Sequence, residues 1–511
     1  MAVMANLNRR TLLTGAIAGA GAIAVPHSAI ASPKSAPGQI IRGRGTLPSG
    51  IQSGEVTPRS AVVWSRSDVR GRLVVTLPAG RSRQTREIRG PWATEATDFT
   101  AKVDLRGLQA GREYEYTVEF EDERGRRGER AVGHFSTPSL KAEATSFVWT
   151  GDTAGQGWGI NPDLGGMVAY RAMAATRPDF FIHSGDNIYA DGPMSATVTE
   201  ADGQIWRNIV TPEVSKVAET LTEFRGRYRY NQMDANIREM YAQIPVLSQW
   251  DDHEVTNNWY PSEILDDARY TEKRVDVLSA RGRQAYLENM PITSPQVYRH
   301  IPRGGMLDVF LLDMRTFRDI NTPGLETERV DFLGGAQVEW LLRGLEKSKA
   351  TWKVIAADMP IGLIVPDGAN IEAIAQGDNG APKGREIEMA YLLSEIKRRK
   401  IRNVVWVTAD VHYTAEHHYD PNKAAFTDFD PFYEFVAGPI SAGGFGPNKL
   451  EGTFGPQLGY VQTPDYVNQS PRNQKKMFFG HVDIAADGHM TVTLRNGLGE
   501  IQHTRHLDPQ H

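Results

Sequence analysis

The 511-residue chain contains no cysteine, which excludes disulfides, thiolate nucleophiles and iron–sulfur ligation. Any metal ion must therefore be held by oxygen atoms and imidazole rings. Basic residues are not in excess either, because 57 Lys and Arg stand against 62 Asp and Glu, for a net charge of −5. Without a global positive field, we expect no nucleic-acid-specific binding.

Long apolar runs are also missing. After residue 31 no segment has about 18 consecutive apolar residues, so we expect no stable membrane span in the mature chain. Hydrophobic residues make up 40% of the chain and charged residues 23%. These proportions are typical of a globular protein and exclude a disordered or fibrous one.

The first residues have the pattern of an export signal. Arg9 and Arg10 precede a weakly apolar run over residues 12–25, and a small-x-small motif follows at 29–31. This layout predicts a twin-arginine signal peptide over residues 1–31. The alternative is a membrane anchor, but the run is too short to span a bilayer comfortably. We expect the twin-arginine translocase as a partner and a periplasmic or secreted location.

Two regions with different patterns follow. Over residues 40–138, short alternating runs such as 113–118 are separated by turn-forming residues, which favours an immunoglobulin- or fibronectin-like β domain. Over residues 144–505, apolar β-type runs mix with helical spacing, as at 339–345 and 386–397. The second region is therefore expected to be an α/β catalytic domain.

Six apolar runs of the second region each lead to an acidic residue. One such residue is usually a cap or turn, but six are hard to explain in that way. Ligands of layered α/β proteins gather at the carboxyl ends of strands, and clustered carboxylates repel unless cations neutralise them. The pattern predicts a metal centre with two or more ions. The acidic positions are Asp152, Asp186, Asp251 with Asp252, Asp313, Asp358 and Asp410.

One of these acids lies in the turn motif at residues 185–191. Gly185 allows a close backbone approach, and Asp186 can bridge two ions through its two oxygens. Tyr189, three residues later, can reach back to the same site. A phenol must ionise to bind a metal, which Fe³⁺ favours over Mg²⁺ or Ca²⁺. The alternative for Tyr189 is an ordinary half-buried aromatic residue.

A second motif, Trp250-Asp251-Asp252-His253-Glu254, combines acids with an imidazole. One carboxylate can bind metal while His253 faces the substrate and protonates the leaving alkoxide. The alternative is a capping cluster at a helix start. Asp410 and His412 form a third pair, able to face one side of a strand terminus, with a surface turn as the alternative. The remaining candidates are interpreted as structural or ordinary polar residues: His183, His417 and His418.

Together the motifs resemble the alkaline phosphatase D (PhoD-like) branch of the metallophosphoesterases, over about residues 40–500. The matching motifs are Gly185-Asp186-x-x-Tyr189, Trp250-Asp251-Asp252-His253-Glu254, Leu312-Asp313-x-Arg315 and Ala409-Asp410-Val411-His412. The resemblance implies a four-layer α-β-β-α sandwich with an N-terminal immunoglobulin-like β-sandwich domain.

The resemblance also implies roles for individual residues. Asp186 corresponds to the metal-bridging aspartate, and Tyr189 to the phenolate ligand of a ferric ion. Asp252 and His253 stand where the broader superfamily has the asparagine and the acid histidine of a Gly-Asn-His motif. Asp410 and His412 match the last ligand pair. In some family members Ca²⁺ accompanies the iron.

The chain departs from the family at Asp152. Family members often have a cysteine ligand just after the first strand of the catalytic domain, and here Asp152 takes that place. A hard carboxylate in place of a soft thiolate changes the preferred ion and its redox potential. Mn²⁺, Zn²⁺ and Mg²⁺ are therefore alternatives to the iron and calcium that the family implies.

The expected mechanism uses two ions about 3.5–4 Å apart that activate a water for attack on phosphorus. His253 donates a proton to the leaving group. Arg315 has two equally weighted roles, since it either holds a phosphoryl oxygen as a planar fork or pairs with Asp313. No role is predicted for Asp251 or Asp358.

Three functions fit these residues. The first is an exported phosphomonoesterase or phosphodiesterase acting on small-molecule phosphoesters. The second keeps the chemistry in a phosphotriesterase or phospholipase D-type enzyme with an aromatic leaving-group pocket, although such aromatics are more often core residues. The third is a non-catalytic, metal-stabilised extracellular binding protein. The aromatic residues concerned are Trp158, Trp206, Trp259 and Tyr260.

Overall fold

The computed structural model of the chain describes residues 44–78 and 85–510. The predicted twin-arginine signal peptide, residues 1–31, lies outside the described residues. Of the helices in the described ranges, none is both long and apolar enough to cross a bilayer.

Seven strands of the described residues form the N-terminal β region. Their inward faces are apolar, as in the strand where Leu73, Val75 and Leu77 are buried. The strands are β1 Ile51–Gly54, β2 Ser60–Arg66, β3 Gly71–Pro78, β4 Thr85–Ala93, β5 Thr100–Arg106, β6 Arg112–Glu121 and β7 Ala131–Thr137. The sheet β4-β3-β6-β7 shares one apolar core with β1-β2-β5. This β-sandwich is the predicted N-terminal architecture.

The rest of the chain alternates between strands and helices. In chain order, β8 to β24 are Thr145–Thr150, Phe180–Ser184, Thr197–Thr199, Ile205–Arg207, Val246–Gln249, Arg299–Pro302, Leu307–Leu311, Trp352–Ala356, Pro366–Asp367, Asn370–Ile371, Val404–Thr408, Thr414–Tyr419, Phe432–Val436, Pro456–Gln462, Phe478–Ile484, Met490–Asn496 and Ile501–Leu507. The helices α1 to α6 are Ala169–Ala175, Leu221–Asn231, Ala235–Gln243, Val275–Asn289, Gly335–Lys347 and Arg385–Arg398.

Two large mixed sheets organise this region. The first has the order β24-β23-β22-β8-β9-β12 and continues into β1-β2-β5 through one parallel pairing of Gly54 with Val246. The second has the order β13-β14-β15-β18-β20-β19-β21. Strands from both of the predicted regions, residues 40–138 and 144–505, therefore belong to the same sheet.

The two sheets pack face to face, and helices cover their outer faces. Residues such as Trp149 of the first sheet and Val354 of the second lie in one buried apolar cluster. Helices α1 and α3 cover the first sheet, and α5 and α6 cover the second. Helix α5 buries Val338, Leu341 and Leu345 at helical spacing. This arrangement confirms the predicted four-layer α-β-β-α sandwich.

Parallel strands place the acidic residues at one edge. β8, β9 and β12 run parallel in the first sheet, and β14, β15 and β18 run parallel in the second. An aspartate follows two residues after the end of each of these strands. The aspartates are Asp152, Asp186, Asp251, Asp313, Asp358 and Asp410.

Candidate metal centre

The loops that carry the candidate ligands have an unusual backbone. Asp152, Asp186, Asp410 and His412 all have positive φ angles, of 68°, 52°, 65° and 61°. Residues other than glycine rarely adopt this conformation, and such strain concentrates at functional sites. Gly185 is required beside them, because a Cβ atom there would lie 2.4 Å from Asp251 Cβ.

The first group of donors contains an imidazole, a phenol and two carboxylates. Asp152, Asp186 and His412 each present a ligand atom within 4.8 Å of the others. His412 Nε2 lies 3.4 Å from Asp152 Oδ1 and 3.1 Å from Tyr189 Oη. Its Nδ1 contacts the Gly443 carbonyl oxygen, which turns Nε2 toward the acids. Burial lowers the pKa of His412 to about 4, so the ring is in the neutral form that binds metals.

Two further groups overlap with the first. Asp186, Asp252 and His253 form one, and Asp251, Asp252 and Asp410 form the other, again with ligand atoms within 4.8 Å of one another. Asp186 and Asp252 each belong to two groups. The sharing of carboxylates suits a centre with more than one ion.

Some carboxylate oxygens of this cluster lack hydrogen-bond partners within the described residues. Buried oxygens without any hydrogen bond are Asp152 Oδ2, Asp251 Oδ2, Asp252 Oδ1 and both oxygens of Asp358. Burial, and after it repulsion from neighbouring acids, raises the pKa of Asp152, Asp186, Asp358 and Asp410 well above the usual range. An uncompensated buried carboxylate is costly, so these hard oxygen donors fit metal cations.

Ionisation of the Tyr189 phenol also requires a nearby cation. Burial and the charges of Asp186 and Asp152 raise its pKa well above the usual value. Without a cation the phenol would therefore stay protonated. A trivalent ion held by the neighbouring carboxylates would supply the attraction that a phenolate ligand needs.

The Glu254 side chain connects the two loops that carry Asp186 and Asp251. Its carboxylate accepts hydrogen bonds from the backbone N–H groups of Asp186, Asn187 and Asp251, at 3.2, 2.6 and 2.7 Å. It is fully buried. The last residue of the Trp-Asp-Asp-His-Glu motif therefore fixes the backbone that presents the ligands.

His253 stands at the edge of the cluster with a partner that the sequence analysis did not identify. Its Nδ1 lies 2.7 Å from Asp191 Oδ1, and its Nε2 lies 3.9 Å from Asp252 Oδ1. The imidazole stacks on the Tyr189 ring at a centroid distance of 4.2 Å. Burial acts to lower the pKa of His253, but the charges of Asp191 and Asp252 outweigh it and raise the pKa to about 10.

The structure corrects both predicted roles of Arg315. The guanidinium has no exposed area, so it does not face a substrate. It does not pair with the Asp313 carboxylate either, which accepts hydrogen bonds from Trp250 Nε1 and Thr316. Instead Arg315 Nε donates to Asp251 Oδ1 at 2.7 Å. The reason is geometric, because the Asp313 carboxylate is occupied by Thr316 and Trp250, while the Arg315 side chain reaches Asp251 in the loop after β12.

The other candidates have structural surroundings. His183 is buried against Thr153 Oγ1, and His417 pairs with Glu434 at 2.9 Å. Trp158 packs on Trp206 and Trp259 packs on Trp250, with ring centroids 5.7 and 5.6 Å apart, and all four rings are buried. The tryptophans are therefore core residues and do not form an open leaving-group pocket.

Comparisons with known proteins place the chain in a family. The PhoD-like phosphatase family model matches residues 147–497, and the model of the PhoD-like phosphatase N-terminal domain matches residues 32–139. Alkaline phosphatase D of Bacillus subtilis (strain 168) is 31% identical over 310 residues, which are 57% of this chain and 50% of that protein. The chain therefore spans about half the length of this curated relative.

Solved structures share the fold. A structure of PhoD is 22% identical, covers 90% of this chain and 88% of its own, and has a TM-score of 0.66. The purple acid phosphatase PPD1 from yellow lupin (Lupinus luteus) seeds is 11% identical, with coverages of 90% and 75% and a TM-score of 0.55. The resemblance seen in the motifs is confirmed by the family model, and the chain belongs to the PhoD-like phosphatase family.

Proposed function

We propose that this chain is a metal-dependent phosphoric ester hydrolase. The observation that carries the proposal is the meeting of Asp152, Asp186, Asp252, Asp410 and His412 at one edge of two sheets. Two of their buried oxygens, Asp152 Oδ2 and Asp252 Oδ1, have no hydrogen-bond partner among the described residues. Membership of a phosphatase family supports the same class of reaction.

The donor types suggest which ions the residues hold. The group of Asp152, Asp186, Tyr189 and His412 suits Fe³⁺, because a phenolate and two carboxylates are hard ligands for a highly charged ion. The neighbouring group around Asp252 offers carboxylate oxygens, which suit Ca²⁺, Mn²⁺ or Mg²⁺. Zn²⁺ is a further candidate, since it accepts oxygen and imidazole ligands.

The chain's own residues complete the chemistry. When bound, the metal ions supply the charge that polarises the phosphoryl group and lowers the pKa of a water ligand. His253 presents Nε2 beside the centre, where it protonates the departing ester oxygen. Asp191 holds Nδ1 of the same ring, and Glu254 holds the loops of Asp186 and Asp251 in place.

The proposed substrates are small phosphoesters in the periplasm or outside the cell. Export through the twin-arginine translocase is supported by Arg9 and Arg10 ahead of the weakly apolar run. The absence of cysteine suits an oxidising compartment. A fusion of residues 1–31 to a reporter tests this part, since export should stop when both arginines become lysine.

Hydrolysis assays with matched variants test the enzymatic proposal. Protein purified without added metal is given a phosphomonoester, a diester, a triester and a phosphatidylcholine vesicle. We expect turnover of monoesters or diesters, and its loss in Asp252→Ala, which removes the ligand oxygens altogether. Fastest turnover of the triester, or release of the lipid headgroup, would favour the phosphotriesterase or phospholipase D-type alternative. Metal-loaded protein without any hydrolysis would favour a binding protein.

A further inference from the structure

Arg315 places a permanent positive charge among the aspartates of the metal centre. Its Nε and Nη2 lie 2.7 and 2.5 Å from Asp251 Oδ1. Asp358 Oδ2 is 3.5 Å from Nε, and Asp410 Oδ1 is 3.8 Å from Nη2. The guanidinium is fully buried. Because arginine does not lose its proton in proteins, this charge stays in the cluster at every physiological pH.

The guanidinium contacts a donor group that is compact enough for a metal ion. Asp251, Asp252 and Asp410 present ligand atoms within 4.8 Å of one another. Two of these three carboxylates, Asp251 and Asp410, are the ones that Arg315 approaches. The guanidinium occupies Asp251 Oδ1, while Oδ2 has no hydrogen bond. A metal ion bound through Oδ2 would still lie beside the guanidinium and would be repelled by its positive charge.

Arg315 is also held firmly from its far side. Its Nη1 contacts Glu372 Oε1, and the backbone carbonyl of Glu372 accepts hydrogen bonds from Arg318 and from Arg385. Glu372 belongs to none of the donor groups of the described residues. The side chain is therefore fixed in this position by the protein and does not depend on a substrate.

We propose that Arg315 takes the place of a cation on the Asp251 side of the centre and thereby limits the number of metal ions that the centre binds. The inference rests on the proposed metal-dependent function. Asp358 supports it, because neither of its buried oxygens has a hydrogen bond and Arg315 is the cation beside it. Without Arg315, the carboxylates of Asp251, Asp358 and Asp410 would lack this counter-charge and would attract a cation.

The test is the metal content of the full-length protein. Wild type, Arg315→Met and Arg315→Lys are dialysed against Ca²⁺ and, separately, Mn²⁺, and bound ions per chain are measured by mass spectrometry. We expect Arg315→Met to bind more ions than wild type, and Arg315→Lys, which keeps the charge, to match wild type. Arg303→Met is the control, because this buried arginine donates to the Val56 carbonyl oxygen and lies over the Phe180 ring, without a contact to the clustered aspartates.

Asp251→Asn provides a second test that does not remove the arginine. If Asp251 pairs with the guanidinium and not with a metal ion, Asp251→Asn binds as many ions as wild type. Asp252→Ala, which loses a candidate ligand, binds fewer. A lower ion content in Asp251→Asn would overturn the inference, and so would a folded Arg315→Met with an unchanged content. If Arg315→Met does not fold, the ion content of Asp251→Asn alone decides whether the inference holds.

The same measurement separates this inference from the proposed function. A wild-type protein that binds no metal contradicts both. A wild-type protein that binds metal and hydrolyses phosphoesters, with no extra ion in folded Arg315→Met, contradicts only the role of Arg315.

Discussion

His253 Nδ1 and Asp191 Oδ1 are 2.7 Å apart, and this contact sets the direction of the imidazole at the metal centre. With Nδ1 bound to the carboxylate, Nε2 is the ring nitrogen left to face the site. Tyr189 stacks on the ring, so a candidate metal ligand also packs against the candidate acid.

Asp191→Asn should lower kcat by about 10- to 100-fold, because the imidazole loses the carboxylate that orients it. His253→Ala should lower kcat by about 10²- to 10⁴-fold, the usual range for a general acid. Steady-state hydrolysis of a diester measures both, and metal content should stay at the wild-type level.

Asp508→Asn is the matched control for Asp191→Asn. Asp508 also pairs with a histidine, since its Oδ1 lies 2.9 Å from His489 Nδ1, but on the exposed C-terminal strands. We expect normal kcat in this variant. Wild-type turnover in His253→Ala would refute the acid role, and a large loss of bound metal would identify His253 as a ligand instead.

Tyr189→Phe should remove any visible absorption band of the iron-loaded protein, because the phenolate that gives the band is lost. Absorption spectra of equal concentrations of metal-loaded protein are the measurement. Tyr230→Phe is a suitable control, since the Tyr230 hydroxyl is bonded to the backbone of Ile160 and Ile209. An iron-loaded Tyr189→Phe protein with an unchanged band would exclude the phenolate ligand.

Chelation should lower Tm as well as abolish hydrolysis, because the acidic cluster loses its neutralising charge. Asp358→Asn should partly reverse this effect and raise the Tm of the metal-free protein. The gain comes from removing the repulsion between the Asp358 and Asp251 carboxylates, because the amide carries no charge. Thermal unfolding of both proteins with and without chelator measures these changes in Tm. A metal-free wild type as stable as the metal-loaded protein would contradict the stabilising role of the metal.

The structure also predicts a pH dependence of stability that comes from Glu386, a residue outside the three donor groups. Burial, and after it the charge of Glu451, raises the pKa of Glu386 to about 8, whereas an unfolded glutamate titrates near 4.5. The folded state therefore binds the proton more tightly, and stability falls as the pH rises from about 4.5 through 8.

Glu386→Gln should weaken this pH dependence, since the amide does not titrate. Chemical unfolding of both proteins at pH 5, 7 and 9 measures the effect as a smaller loss of unfolding free energy at high pH in the variant. Parallel curves for the two proteins would show that Glu386 is not the group responsible.

The sequence was sufficient to predict the sandwich and the place of the ligands. The acids that follow β8, β9 and β18 could be identified because apolar runs mark buried strands and parallel strands end at one edge. The sequence did not predict that Gly54 pairs with Val246, because a single parallel pairing between distant segments leaves no periodic signal.

Partners of individual side chains were harder to predict. Asp191 was not identified because nothing in its motif distinguishes it from an ordinary turn aspartate. For Arg315 the sequence predicted a phosphoryl contact or a pairing with Asp313 equally, whereas its partner Asp251 lies 64 residues away. That pairing joins loops of two sheets, and the pairing of Asp191 with His253 joins two loops of one sheet. Local patterns encode neither.

Anomalous X-ray diffraction from crystals of protein purified without added metal tests the central claim most directly. The account predicts ion peaks among Asp152, Asp186, Tyr189 and His412, and beside Asp252. A map without anomalous signal at these carboxylates, from protein that hydrolyses phosphoesters at full rate, would contradict it.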